Sequence, residues 1–208
     1  MPGQLRTNLL EWRQHHPDWT FVLWNDASLF WLKHRDLYDR ASEIVPADAV
    51  WQFRADIARY EILNIHGGLY VDCDTFPLQS LDVALEGHDA WAAWEDRNWI
   101  GNSVLYSVAH HPVMERLVAD LRRNVAQDAL HEWRPNRLSG PRYLTPIWRE
   151  FGCYVAPRRR VYPYGYADVK QGTVPTAFGP DVLCVHQWHH TRQIMEARHA
   201  RPREPVRP

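Results

Sequence analysis

The stretch from residue 53 to 81, FRADIARYEILNIHGGLYVDCDTFPLQSL, constrains this chain more than any other. Val50, Phe53, Ile57 and Tyr60 recur at helical spacing, which predicts a helix over residues 47–65. Gly67-Gly68 ends it in the manner of a C-cap glycine. Residues 69–71 then read as a short strand, apolar on both faces as inside a parallel sheet, and Asp72 closes it. In α/β sheets, ligands sit beyond the carboxyl ends of the strands. Asp72 stands at such an end.

The flanking sequence repeats the theme. Apolar periodicity predicts helices over 4–15 (Leu5, Leu9 and Trp12 on one face), 28–35, 37–44, 112–125 and 141–151. Strands are expected at 19–24, 90–94, 103–107 and 182–185. This alternation implies an α/β layered fold with a mostly parallel central sheet. A chain of 208 residues suits a single domain, here 1–197. The Arg/Pro-rich tail at 198–208 offers little to bury and is expected to be disordered. Cys73, Cys153 and Cys184 are odd in number and unpaired in spacing, against a disulfide scaffold or structural zinc. With no signal-like or membrane-length apolar run, a cytoplasmic enzyme is the expectation.

Charge divides unevenly along the chain. Residues 1–114 hold 8 Lys/Arg against 16 Asp/Glu, and the remainder holds 16 against 9. An acidic half can host a cation and a basic half can meet phosphate. Asp-x-Asp alone is weak, since 15 Asp in 208 residues supply roughly one match by chance. Its place at a strand end is more telling. Alternation along an extended segment puts Asp72 and Asp74 on one side with Cys73 facing away. Such a pair can share a hard divalent cation, Mn²⁺ or Mg²⁺, or divide the work between metal and sugar hydroxyls. Breaking a sugar–phosphate bond builds negative charge on a departing diphosphate, which a cation stabilises. Asp56 and Arg59, three apart, share a helix face that the diglycine turn can swing toward the strand end. There Asp56 can accept from hydroxyls, and Arg59 can donate to a hydroxyl or a phosphate oxygen. No protein nucleophile stands out.

Taken together, Arg54-x-Asp56-x-x-Arg59-Tyr60 and Gly67-Gly68-x-Tyr70-x-Asp72-x-Asp74 resemble the signature of the DXD sugar-binding glycosyltransferases. That group includes the mannosyltransferases and capsular-polysaccharide transferases of family 32, with the clostridial glucosylating toxins as distant relatives. The resemblance implies a Rossmann-like GT-A fold and metal-dependent, configuration-retaining transfer of a hexose from a nucleotide-sugar donor, a UDP-sugar favoured. It implies that Asp56, Arg59 and Asp72 contact the donor sugar or ribose and that Asp74 ligates the metal, with Asp72 a possible second ligand. Weaker likenesses extend further. His16-Pro17-Asp18-Trp19 through Leu23-Trp24-Asn25-Asp26 resembles the family's second strand, which brings Trp24 near the nucleotide. Asn102 resembles the asparagine past the metal site. Ser139-Gly140-Pro141 resembles a helix start whose free N–H groups face donor or acceptor, hence Gly140 as a donor contact. Val185-His186-Gln187-Trp188 resembles the C-terminal His-x-Trp, with His186 completing the metal sphere. Two departures stand out. The family's usual first strand is missing, and Thr191-Arg192 replaces its Ser-Trp, with Thr191 a metal ligand and Arg192 a diphosphate contact by position.

Other chemistries fit less well. A zinc hydrolase would put His186 and His190 on one helix, yet the sequence there reads as a strand. A haloacid-dehalogenase-type phosphatase wants Thr four after the first Asp, where Phe76 stands. A non-catalytic sugar-binding protein is the third alternative. The acceptor is open among glycan, protein, lipid and nucleic-acid base, the last suggested by Arg158-Arg159-Arg160 beside Tyr162, Tyr164 and Tyr166.

Overall fold

The structure is a computed structural model and describes residues 3–128 and 135–188. Helices α1 (Gly3–His15), α2 (Arg35–Asp39), α3 (Ala41–Ile44) and α4 (Val50–His66) precede strands β1 (Gly68–Val71) and β2 (Thr75–Pro77). There follow α5 (Asp82–Leu85), β3 (Ala90–Ala93), β4 (Val104–Ser107), α6 (Pro112–Asp128), α7 (Pro135–Leu138) and α8 (Pro141–Glu150). The described chain ends with β5 (Tyr154–Ala156), α9 (Tyr166–Gln171) and β6 (Cys184–His186).

The main sheet has the order β1-β4-β3-β5. β4 runs antiparallel to both neighbours, and β3 pairs with β5 in parallel. Three of its four strands therefore point one way, and β1, β3 and β5 all deliver their carboxyl ends to the same edge. Side-chain alternation splits β3 between two cores. Ala90 and Ala92 face a cluster with Phe53, Ile57, Tyr60 and Leu63 of α4 and with Val113, Leu117 and Leu121 of α6. Trp91 and Ala93 face Trp12, Leu81, Val161, Tyr162 and Leu183 on the other side. Each large apolar side chain buried this way contributes about 1.5–3 kcal/mol. The sheet is thus covered on both faces, which leaves its carboxyl edge as the place for a cleft. Among the described residues no helix is long and apolar enough to cross a membrane.

Gly67 makes the turn from α4 into β1. Its φ of 65° and ψ of −162° suit glycine, and its N–H donates to Leu63 O at 3.0 Å. A Cβ there would lie 2.5 Å from the backbone N of Ala109. Only glycine fits, so the chain reverses at once and carries Asp72 back over α4.

Several local expectations need correction. Residues 19–24 form no strand. They run without a ladder partner among the described residues, and Val22 and Leu23 are 61% and 64% exposed. Residues 28–34 form turns instead of a helix. Asn25 Oδ1 accepts the N–H groups of Ala27 and Ser28, and the Glu61 carboxylate takes those of Lys33 and His34, diverting donors a helix would use. The expected 37–44 helix divides at Arg40 into α2 and α3. The strand foreseen at 182–185 is the shorter β6, which pairs with the unforeseen β2 in a second sheet. The tail at 198–208, with Thr191 and Arg192, lies outside the described residues.

Candidate active site

The ladder of β1 continues one step past Val71, where Asp72 N–H donates to Ser103 O at 2.8 Å. The chain then turns instead of staying extended, with Thr75 N–H returning to Asp72 O at 2.9 Å. That turn, and not strand alternation, brings the two carboxylates together and leaves Cys73 exposed. Because β2 pairs with β6, Thr75 lies opposite His186. His186 Nε2 stands 3.2 Å from Asp74 Oδ1 and 3.9 Å from Asp72 Oδ2. Asp72, Asp74 and His186 each offer a ligand atom within 4.8 Å of the others. Burial would lower the His186 pKa, but the hydrogen bond to Asp74 and the charges of Asp74 and Asp72 raise it. His186 Nδ1 is buried without a hydrogen-bond partner.

This donor set fits a divalent cation. Two carboxylate oxygens and one imidazole nitrogen suit Mn²⁺ better than Mg²⁺, which prefers oxygen throughout. Asp72 is engaged on one side. Its Oδ1 accepts from Tyr70 OH at 2.8 Å and lies 3.2 Å from Arg59 Nη2. Asp74 Oδ1 and Asp72 Oδ2 are the carboxylate oxygens that face His186 Nε2.

Arg59 is almost wholly buried and joins three elements. It pairs with Asp56 at 3.1 Å and with Asp72 at 3.2 Å, donates to Asn102 O, and lies over the Tyr70 ring at 4.7 Å. Burial would lower its pKa, but Asp72, Tyr70 and Asp56 outweigh this and raise it. Asp56 accepts from Ser139 OH at 2.7 Å and from Asn102 Nδ2 at 2.9 Å. Burial pushes Asp56 up to about 6, while Arg59, Ser139 and Asn102 hold it down. Tyr60 OH donates to Ser139 O at 2.6 Å and locks the start of α8 to α4.

A cleft of about 2370 Å³ opens over this cluster, lined among others by Trp24, Asp56, Arg59, Asp72, Asp74, Asn102 and His186. The structure thus gathers Asp56, Arg59, Asp72, Asp74, Asn102 and His186 into one site. Asn102 meets Asp56 with its side chain and Arg59 with its carbonyl. Trp24 lines the cleft with its ring against Trp31 and His66. Gly140 is buried at the start of α8 and does not line the cleft, and Ser139 reaches Asp56 in its stead.

Three contributors had no role in this site from the sequence, although Tyr70 stands within the signature itself. Tyr70 holds Asp72 and covers Arg59, and its period-two placement before Asp72 was the available signal. Tyr162 OH shares a 2.7 Å hydrogen bond with Ser103 under the cleft floor. Glu95 lines the cleft just past β3, and burial pushes its carboxyl up to about 7, against the lowering charge of His186.

Comparison with known proteins gives consistent matches. Residues 2–96 match the family model described as the glycosyltransferase sugar-binding region containing the DXD motif. The chain is 29% identical over 139 residues to inositol phosphoceramide mannosyltransferase 2 of Schizosaccharomyces pombe, covering 65% of this chain and 39% of that protein. It is 25% identical over 180 residues to the mannosyl phosphorylinositol ceramide synthase SUR1 of Saccharomyces cerevisiae, covering 76% and 44%. The chain thus spans about two fifths of the length of these relatives. The solved PaToxG glycosyltransferase shares the fold with a TM-score of 0.53 at 13% identity, over 73% of this chain and 64% of that one. An Asp-x-Asp turn at the carboxyl edge of an α/β sheet, the match of residues 2–96 to the DXD region and the fold shared with PaToxG all support a likeness of this chain to the DXD-motif glycosyltransferases.

Proposed function

We propose that the protein transfers a hexose from a nucleotide-sugar donor to an acceptor, with a divalent cation held by Asp74 and His186 and shared with Asp72. Mn²⁺ is favoured over Mg²⁺ by the imidazole. A bound cation supplies positive charge against the departing diphosphate. Asp56, Arg59 and Asp72 grip the sugar: the carboxylates accept from its hydroxyls, and Arg59 fixes their orientation. The observation that carries this reading is the convergence of Asp72, Asp74 and His186 within 4.8 Å beside the buried Asp56–Arg59 pair.

Mannose is the first sugar to try, because the relatives are named for mannose transfer. UDP-linked donors remain favoured on family frequency. Their names also make an inositol-containing lipid one acceptor to test. Retention would follow from front-face attack, the diphosphate oxygen taking the acceptor's proton. The three free cysteines favour a reducing, cytoplasmic setting. A phosphatase is the weaker reading, since Asp72, its nucleophile by position, is already engaged by Tyr70 and Arg59.

The test is a panel of UDP- and GDP-sugars with and without Mn²⁺. The wild type should release nucleoside diphosphate slowly, and Asp74→Ala should lower that rate by about a hundredfold or more without loss of the fold. Wild-type rates in the variant, or release of inorganic phosphate alone, would remove the assignment.

A further inference from the structure

Glu95 belongs to no motif, yet its backbone is fixed with care. Past β3 the chain makes one more bridge, Trp94 to Ile100, and then turns over. Glu95 N–H donates to Trp99 O at 2.9 Å, and Arg158 Nε donates to Glu95 O at 2.8 Å. Asp96 closes the turn by accepting the N–H groups of Asn98 and Trp99 at 2.7 and 2.8 Å. So Asp96 is spent on structure, whereas the half-buried Glu95 carboxylate accepts no hydrogen bond from any described residue. It lines the same cleft as Asp72, Asn102, Tyr162 and His186. A partly desolvated carboxylate without a donor is costly, and a ligand hydroxyl removes that cost.

Topology sets its distance from the donor residues. β1 and β3 are separated by β4 alone and present their carboxyl ends to one edge. Asp72 and Glu95 therefore hang from strands about 9.5 Å apart, twice the spacing of neighbouring strands. Glu95 and the Asp72–Asp74 turn thus line one cleft.

We propose that Glu95 forms the acceptor side of the site, its carboxylate receiving a hydrogen bond from the molecule that attacks the donor sugar. This rests on the transferase reading. In hydrolysis the attacker is water, with one hydrogen on Glu95 and the other directed to the diphosphate. In transfer it is a polyol, whose hydroxyl next to the nucleophilic one binds Glu95. The attacking oxygen bonds to the anomeric carbon, the bond from that carbon to the diphosphate oxygen breaks with its electron pair leaving on the diphosphate, and the nucleophile's proton follows to a diphosphate oxygen. Glu95 exchanges no proton. The acceptor class is then a compound with adjacent hydroxyls.

Hydrolysis tests this without knowledge of the natural acceptor. Glu95→Ala should lower kcat for hydrolysis of the donor sugar nucleotide in Mn²⁺ by about tenfold to a hundredfold, and Glu95→Gln by less. The donor dissociation constant, measured by calorimetry, should stay within about twofold. Unchanged kcat in both variants overturns the proposal, and so does a loss confined to donor affinity, which would make Glu95 a donor contact. Should the alanine variant not fold, the isosteric glutamine variant carries the test through the same split of kcat against affinity. A wild type that hydrolyses no sugar nucleotide defeats the transferase reading itself, a result distinct from an active wild type indifferent to residue 95.

Discussion

Adding Mn²⁺ should raise the melting temperature, and the size of the rise can be worked out. A cation at a hundred times its dissociation constant stabilises the folded state by about 2.7 kcal/mol. With 208 residues and about 2.1 cal/mol/K of unfolding entropy per residue, the entropy change is about 0.44 kcal/mol/K. The shift is then about 6 °C. Its pH dependence follows from His186. In the metal-free protein the Asp74 hydrogen bond and the neighbouring carboxylates raise its pKa above 6.5, against burial, which lowers it. This group's contribution to the metal-free fold is therefore complete below pH 6.5 and is lost as pH rises through the folded value. The cation needs the neutral ring, so its contribution grows in the opposite direction. Below the folded pKa each pH unit costs about 1.4 kcal/mol of binding, or about 3 °C of shift. Differential scanning fluorimetry between pH 5.5 and 8.5 reads this directly. No shift at pH 8 with Mn²⁺, or an equal shift in Asp74→Ala, would refute the cation site. A shift independent of pH would remove His186 from it.

Three substitutions probe the scaffold around the site. Arg59→Met leaves Asp56 buried beside Ser139 and Asn102 without its cation and should destabilise by about 3–5 kcal/mol in urea titrations at pH 7. That loss should shrink at pH 5, where Asp56 can take a proton and become neutral. Gly67→Ala forces a side chain onto a residue at φ 65° and 2.5 Å from Ala109 N, and should cost about 3 kcal/mol or more by calorimetry. Gly68→Ala, at φ 90° with nothing within 4 Å, should cost less.

What the sequence disclosed about the fold was whatever a local pattern determines. The glycine stop, the apolar β1 and the end of α4 appear within a residue of their expected bounds, while α4 itself begins three residues late, after a 3-10 turn at Ala47–Ala49. The misses share a cause. Residues 19–24 have the composition of a strand, but a strand exists only where a neighbour supplies the ladder, and no window of sequence contains its neighbour. Thr75–Pro77 has no alternation to speak of and becomes β2 because Cys184–His186 lies beside it, over a hundred positions away. Glu61 shows the same effect from the other side. A side chain on α4 captures the N–H groups of Lys33 and His34 and so prevents a helix 27 positions earlier.

The site divides along the same line. Asp56, Arg59, Asp72 and Asp74 fall inside one helix–turn–strand unit, so their spacing already encodes their meeting. His186 and Glu95 reach the cleft from two separate strand ends, and Ser139 reaches Asp56 from the start of α8; only tertiary packing brings them there. Among these, His186 and the turn before Pro141 carried a family likeness, while Glu95 carried none. The difference is physical. Asp56, Arg59, Asp72 and Asp74 are rigidly related because one supersecondary unit carries them, and His186 joins them through the pairing of β6 with β2. An acceptor contact has only to face the donor across the cleft, so any strand delivering its carboxyl end to the same edge can supply it; β1, β3 and β5 all do, and in the proposal for Glu95 β3 is the one used.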